Sequence, residues 1–169
     1  MEERGGHTVE ERTIDNQLKY ENYKEQFRRL NKALANGFYL EAMFIEYAII
    51  EDRTESVLRH GGYWDAYLKK RGNGRSATIN SKISYIQRKI ESGDKLLAKY
   101  FFNDLFNEIR TWKEERNRLI HALLKQQLAH CEVRSLAEQG NEPVKKLRSC
   151  SANYNRAIER TKRVYDDAE

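Results

Sequence analysis

Phe38-Tyr39-Leu40-Glu41-Ala42-Met43-Phe44-Ile45-Glu46-Tyr47-Ala48-Ile49-Ile50-Glu51-Asp52-Arg53-Thr54-Glu55-Ser56-Val57-Leu58-Arg59-His60-Gly61-Gly62 is the stretch that decides the fold. Leu40, Met43, Phe44, Tyr47, Ile50, Thr54, Val57 and Leu58 recur at close to the spacing by which a helix turns one face to a core. Glu41, Glu46, Glu51, Asp52, Arg53 and Glu55 are expected on the polar side. Gly61-Gly62 stops this helix, and Asn36-Gly37 stops the one before it.

Working outward, the same period continues in both directions. Met1 to Thr13 is polar and contains Gly5-Gly6, so residues 1–14 are expected to be a flexible N-terminus ahead of a single domain, 15–169. Asp15 is expected to cap a first helix that carries Leu18, Tyr23, Phe27, Leu30 and Leu34 and ends near Asn36. Downstream, a short helix over Tyr63–Lys70 precedes the Gly72-Asn73-Gly74 break. Thr78 caps Ile79–Glu91, which sets Ile79, Ile83, Ile86 and Ile90 on one face. Ser92-Gly93-Asp94 is the next break. Lys95 to Gln127 reads as helix with an interruption near Tyr100–Asn103, its second part running from about Asp104 to Ala129. Gly140-Asn141 is expected to end a connection, with Asn141 capping a last helix and Pro143 in its first turn. Val144, Leu147, Ser151, Tyr154, Ile158, Thr161 and Tyr165 form its stripe. The whole reads as an all-α bundle of about five helices.

Composition agrees. The chain has 169 residues, one proline and nine glycines, with 34% charged and 39% hydrophobic residues. That size suits one domain with a proper core. The net charge of +5 permits a polyanionic partner without requiring one. Cys131 and Cys150 form no CxxC pair, which argues against a zinc site and fits a reducing compartment. No leader-like segment opens the chain, and no apolar run approaches the roughly 20 residues of a membrane span. These features predict a soluble cytoplasmic protein with no membrane partner. No glutamate precedes a histidine by three, as a di-iron bundle needs, and no phosphate-binding glycine loop is present. No metal and no cofactor are expected.

The chemistry concentrates in Trp112-Lys113-Glu114-Glu115-Arg116-Asn117-Arg118-Leu119-Ile120-His121-Ala122-Leu123-Leu124. A guanidinium holds a phosphate in a planar fork, and an imidazole moves protons near neutral pH. The Arg-x4-His spacing is weak by itself, because Arg53-x6-His60 resembles it. His60 abuts a Gly-Gly stop, where a histidine suits the helix dipole. Arg116 instead falls in line with Leu105, Ile109, Trp112, Ile120 and Leu123. A charge in an apolar stripe must be paired or face a cleft; Glu46, Glu51 and Asp52 are candidate partners. Asn117 and His121 share another face, which Leu124 and Leu128 continue. A buried arginine with a capping or core histidine is the plainer reading of the same residues.

Arg116-Asn117-x3-His121, in the penultimate long helix of an all-α domain, resembles the HEPN superfamily. Its signature is R-x(4–6)-H, often with Asn directly after the arginine. The resemblance implies a helical bundle, a two-fold homodimer, and metal-independent endoribonuclease activity of the kind found in toxins and phage-defence effectors. It implies Arg116 on the phosphate, His121 as general base or general acid, and Asn117 orienting His121 or the backbone. It further implies RNA as substrate and an antitoxin or larger effector protein as partner. Some members are non-catalytic dimers that bind RNA or a protein, including accessory subunits that modulate a larger nucleic-acid enzyme.

A second candidate lies between the second helix and Ile79. Tyr63, Trp64 and Tyr67 stand beside Lys69, Lys70, Arg71 and Arg75. Aromatic rings stack on bases and cations attract phosphates, so Trp64, Lys69, Lys70, Arg71 and Arg75 are candidate RNA contacts. The plainer reading is a solvated basic loop whose rings pack back on the bundle.

Overall fold

The computed structural model describes residues 9–71, 77–123, 125–126 and 129–166. Among them are seven α-helices and no strand: α1 (Val9–Ala35), α2 (Tyr39–His60), α3 (Trp64–Arg71), α4 (Ile79–Glu91), α5 (Lys95–Tyr100), α6 (Asn103–Ala122) and α7 (His130–Asp166). Five are long and two, α3 and α5, are short. The expectation of about five helices counted the long ones.

The helix ends explain the chain's turns. Gly37 and Gly62 adopt φ of 77° and 72°, a left-handed conformation that costs glycine little. Behind each, the chain closes back on the helix: Phe38 N–H donates to Ala33 O at 2.9 Å, and Tyr63 N–H to Leu58 O at 2.8 Å. Thr78 caps α4 by accepting from Ser81 N–H at 3.2 Å, and Asp94 caps α5 by accepting from Leu97 N–H at 2.9 Å. The interruption expected near Tyr100–Asn103 separates α5 from α6.

Three helix bounds differ from the sequence expectation. α6, expected to run to about Ala129, ends at Ala122. α1 starts ahead of Asp15, so Asp15 is inside the helix rather than at its cap. The last helix begins at His130, and Gly140, Asn141 and Pro143 lie inside it. Here the apolar period overrides the helix breakers. Leu136, Ala137, Gly140, Pro143, Val144, Leu147, Ser151 and Tyr154 are all buried along one continuous stripe. Glu132 starts the helix by accepting from Ala129 N–H at 3.2 Å, half of a capping box. Pro143 removes one N–H donor and costs about 3 kcal/mol in an unsupported helix; burial of the stripe offsets it.

α2 is the central element and packs against α1, α3, α4 and α7; α6 lies on α7 and α4. The core runs through Leu30, Met43, Ile50, Leu58, Ile79, Ile83, Ile86, Leu97, Phe101, Phe106 and Tyr154. Lys82 of α4 is buried, its ammonium 3.2 Å from Glu55 and 3.7 Å from Glu51 on α2.

α2 buries Met43, Ile50, Thr54, Val57 and Leu58 as expected, but over a wider face than the sequence suggested. Neighbours on several sides bury Tyr39, Ala42, Ile45, Glu46 and Ile49 together with Met43, Ile50 and Val57. Leu40 and Phe44, expected in the core, are exposed. Glu46, expected on the polar side, is fully buried, and neither carboxyl oxygen has a hydrogen-bond partner among the described residues. Burial pushes its carboxyl up to about 9, so it is held protonated at neutral pH. No described helix is long and apolar enough to cross a membrane.

Candidate functional site

α6 ends at Ala122, directly after His121, so the Arg116–His121 segment forms its last turn and a half. Helix geometry sets Arg116 and His121 about 140° apart around the axis. The two side chains therefore leave α6 in different directions. His121 is exposed. Leu124 and Leu128, expected to continue its face, lie outside the described residues.

Arg116 reaches from α6 to α2. Its guanidinium carbon lies 4.9 Å from the Phe44 ring centroid and 4.8 Å from that of Tyr47. These are cation–π distances. Nη1 donates to Asn117 Oδ1 at 3.1 Å, while Nε is buried with no acceptor. Burial lowers the proton affinity of the group, and Tyr47 partly opposes that; an arginine stays charged regardless.

No carboxylate pairs with Arg116 among the described residues, because each expected partner is engaged elsewhere. Glu46 is sealed in the core against α7. Glu51 lies toward Lys82. Asp52 holds Arg53 and, at 3.5 Å, Lys19. The charge expected to need a reason thus rests on two rings and an amide, and is half-exposed.

Asn117 also differs from expectation. Its amide oxygen accepts from Arg116, so it orients the arginine; among the described residues it makes no bond to His121. His60 has the ordinary role its position suggested, with Nδ1 2.9 Å from Ser56 O in the last turn of α2. Phe44 and Tyr47 were missed as site residues. Helical period assigned both to the core, and only their adjacency to Met43 and Glu46 hinted that not every apolar side chain here can face inward.

Beyond Phe44, toward the start of α2, lies a cavity of about 620 Å³ between α2 and α7. Phe38, Leu40, Leu123 and His130 line it. Phe38, Leu40 and Phe44 are all exposed, so this end of the bundle has an apolar surface beside Arg116.

The aromatic–basic segment is divided. Tyr67 is buried and its hydroxyl is 2.7 Å from Ser81 Oγ. Tyr63 bonds to Asp94 through its hydroxyl. Trp64 is half-buried against Tyr67, with the Arg59 guanidinium 4.3 Å from its ring centroid. These rings serve packing. Lys69 and Lys70 are exposed on α3. Arg71 ends the helix, and Arg75 lies outside the described residues. Among the described residues, no three His, Cys, Asp or Glu side chains gather as metal ligands.

What the site offers chemically is a guanidinium on an aromatic floor that pairs with no carboxylate among the described residues, with an exposed imidazole at the end of the same helix. No family model, curated protein or solved structure matches this chain.

Proposed function

We propose that the protein is a metal-independent endoribonuclease that works as a two-fold dimer, with Arg116 on the scissile phosphate and His121 moving protons. The observation that carries this reading is the Arg116 guanidinium, half-exposed beside two aromatic rings with no carboxylate to neutralise it among the described residues. A charge in that state retains its attraction for an anion, and a phosphodiester is the anion a planar fork fits.

In the proposed reaction, one His121 accepts the proton of a ribose 2′-hydroxyl. The 2′-oxygen attacks phosphorus, and the bond from phosphorus to the 5′-oxygen breaks. A second imidazole, His121 of the partner subunit, protonates that leaving oxygen. The products are a 2′,3′-cyclic phosphate and a 5′-hydroxyl. Arg116 offsets the charge that builds on the phosphoryl oxygens. The different directions of Arg116 and His121 within one chain favour a dimer, in which a second copy completes the set. The HEPN resemblance gives the reading a setting among toxins and defence effectors of the cytoplasm, with an antitoxin or effector as protein partner.

The competing reading is a non-catalytic module that binds RNA or a protein through this surface. Exposed Phe38, Leu40 and Phe44 favour it, because neighbouring apolar side chains at a surface mark interaction sites. Cleavage of single-stranded RNA in EDTA separates the two. The enzyme reading expects activity that falls about 10²–10⁴-fold in His121→Ala and is also lost in Arg116→Ala. RNA bound with steep salt dependence but left intact favours the module.

A further inference from the structure

We propose that Phe44 and Tyr47 form a stacking shelf for an unpaired nucleobase whose phosphate sits on Arg116, so that this surface takes single-stranded and not duplex RNA. This rests on the RNA reading of the Arg116 site and names the substrate class of that site.

The argument begins with Phe44. Phe44 is 55% exposed in the second turn of α2, between the buried Met43 and Ile45. A single exposed phenylalanine needs no explanation. This one lies 4.9 Å from a guanidinium that no carboxylate neutralises among the described residues, and Tyr47, one turn on, lies at 4.8 Å from the same carbon. The Nε side of the guanidinium is buried, and Nη1 is tied to Asn117. Burial of Nε and the bond to Asn117 restrain the guanidinium beside the exposed ring.

A nucleotide carries an anion and a flat π-face a few bonds apart. Here a cation and a flat exposed ring are adjacent, which is the complementary pair. Base–aromatic stacking and phosphate capture by Arg are the two parts of single-strand recognition. A paired base within a duplex has both faces covered by its neighbours and cannot lie on Phe44. Because the rings already desolvate one side of Arg116, part of the cost of ordering and drying the cation has been met before RNA arrives.

The test measures binding by fluorescence anisotropy in a His121→Ala background, so that RNA survives. The probes are octa-adenylate RNA, an abasic octamer with the same ribose–phosphate backbone, and an octamer duplex. Octa-adenylate is expected to bind more tightly than the abasic or duplex probe. Phe44→Ala should weaken octa-adenylate about tenfold and leave the abasic probe unchanged, while Phe44→Trp restores binding. Arg116→Ala should weaken both single-stranded probes. Thermal melting checks that Phe44→Ala, a change at an exposed ring, remains folded.

Equal octa-adenylate binding by Phe44→Ala and the parent overturns the shelf. So does Phe44→Ala turning a dimer into a monomer in sedimentation while weakening all probes alike, which makes the ring part of a protein interface. A wild type that cleaves RNA normally while ignoring Phe44→Ala defeats the shelf alone. A wild type that neither binds nor cleaves RNA defeats the shelf and the proposed function together.

Discussion

Gly140 of α7 lies directly against the Glu46 carboxyl of α2. A Cβ at Gly140 would collide with Glu46 Oε2 and come within 2.6 Å of Trp112 Nε1. The indole has little room to yield, since its N–H donates to Leu136 O at 3.0 Å. Helix propensity favours alanine over glycine by about 1 kcal/mol, but overpacking costs about 1–3 kcal/mol. Gly140→Ala is expected to lower stability by up to about 2 kcal/mol in urea denaturation. A double-mutant cycle with Glu46→Ala should show coupling between the two positions; purely additive effects would mean that the helices do not meet here.

Glu46 predicts a pH dependence. An unfolded glutamate titrates near 4.5, and in the folded core this one titrates near 9. Between those values the folded chain keeps a proton that the unfolded chain releases. Its contribution to stability is therefore fully present below about 4.5 and is lost progressively as pH rises toward about 9. The slope is at most about 1.4 kcal/mol per pH unit. Glu46→Gln should flatten the dependence of melting temperature on pH across this window and raise it at pH 8. An unchanged slope in the variant would place the titrating group elsewhere.

Asp94 serves two elements at once. One carboxyl oxygen caps α5 through Leu97 N–H, and the other accepts from the Tyr63 hydroxyl. Burial, helped by Asp94, pushes the Tyr63 phenol up to about 12. Tyr63→Phe is expected to cost about 1.5–3 kcal/mol, the range for hydrogen bonds to a charged group. Asp94→Ala should cost about 1 kcal/mol more because the cap is lost as well. Chemical denaturation of the two single variants and the double variant measures both contributions.

Arg116 should be expendable for folding. Its Nε is buried without an acceptor, and a methionine can occupy the same place beside Phe44 and Tyr47. Arg116→Met is expected to hold or raise stability by up to about 1 kcal/mol, because it removes a buried donor with no acceptor among the described residues, while under the proposed function RNA retention falls. A melting temperature that drops steeply in this variant would make Arg116 a structural residue.

Helical period made much of the bundle legible. The Ile79–Glu91 helix with its Thr78 cap, the stops at Gly37 and Gly62, and the interruption ahead of Asn103 all follow from local chemistry. α7 was misjudged because glycine and proline normally break a helix, whereas here a buried stripe on both sides of them outweighs the local penalty. Gly140 has a tertiary purpose that no local rule can read: it makes room for a side chain on another helix.

The candidate site divides in the same way. By itself the sequence determined which residues have the chemistry, Arg116, Asn117 and His121, and that Arg116 occupies a position where a charge needs a reason. Only the tertiary structure decided what that reason is. Whether a side chain on α2 faces the core or the solvent depends on where α1, α4 and α7 pack around it, and that packing buried Glu46 and left Phe44 beside the guanidinium. Period along one helix specifies a face; the neighbours that surround the helix decide which face is inside.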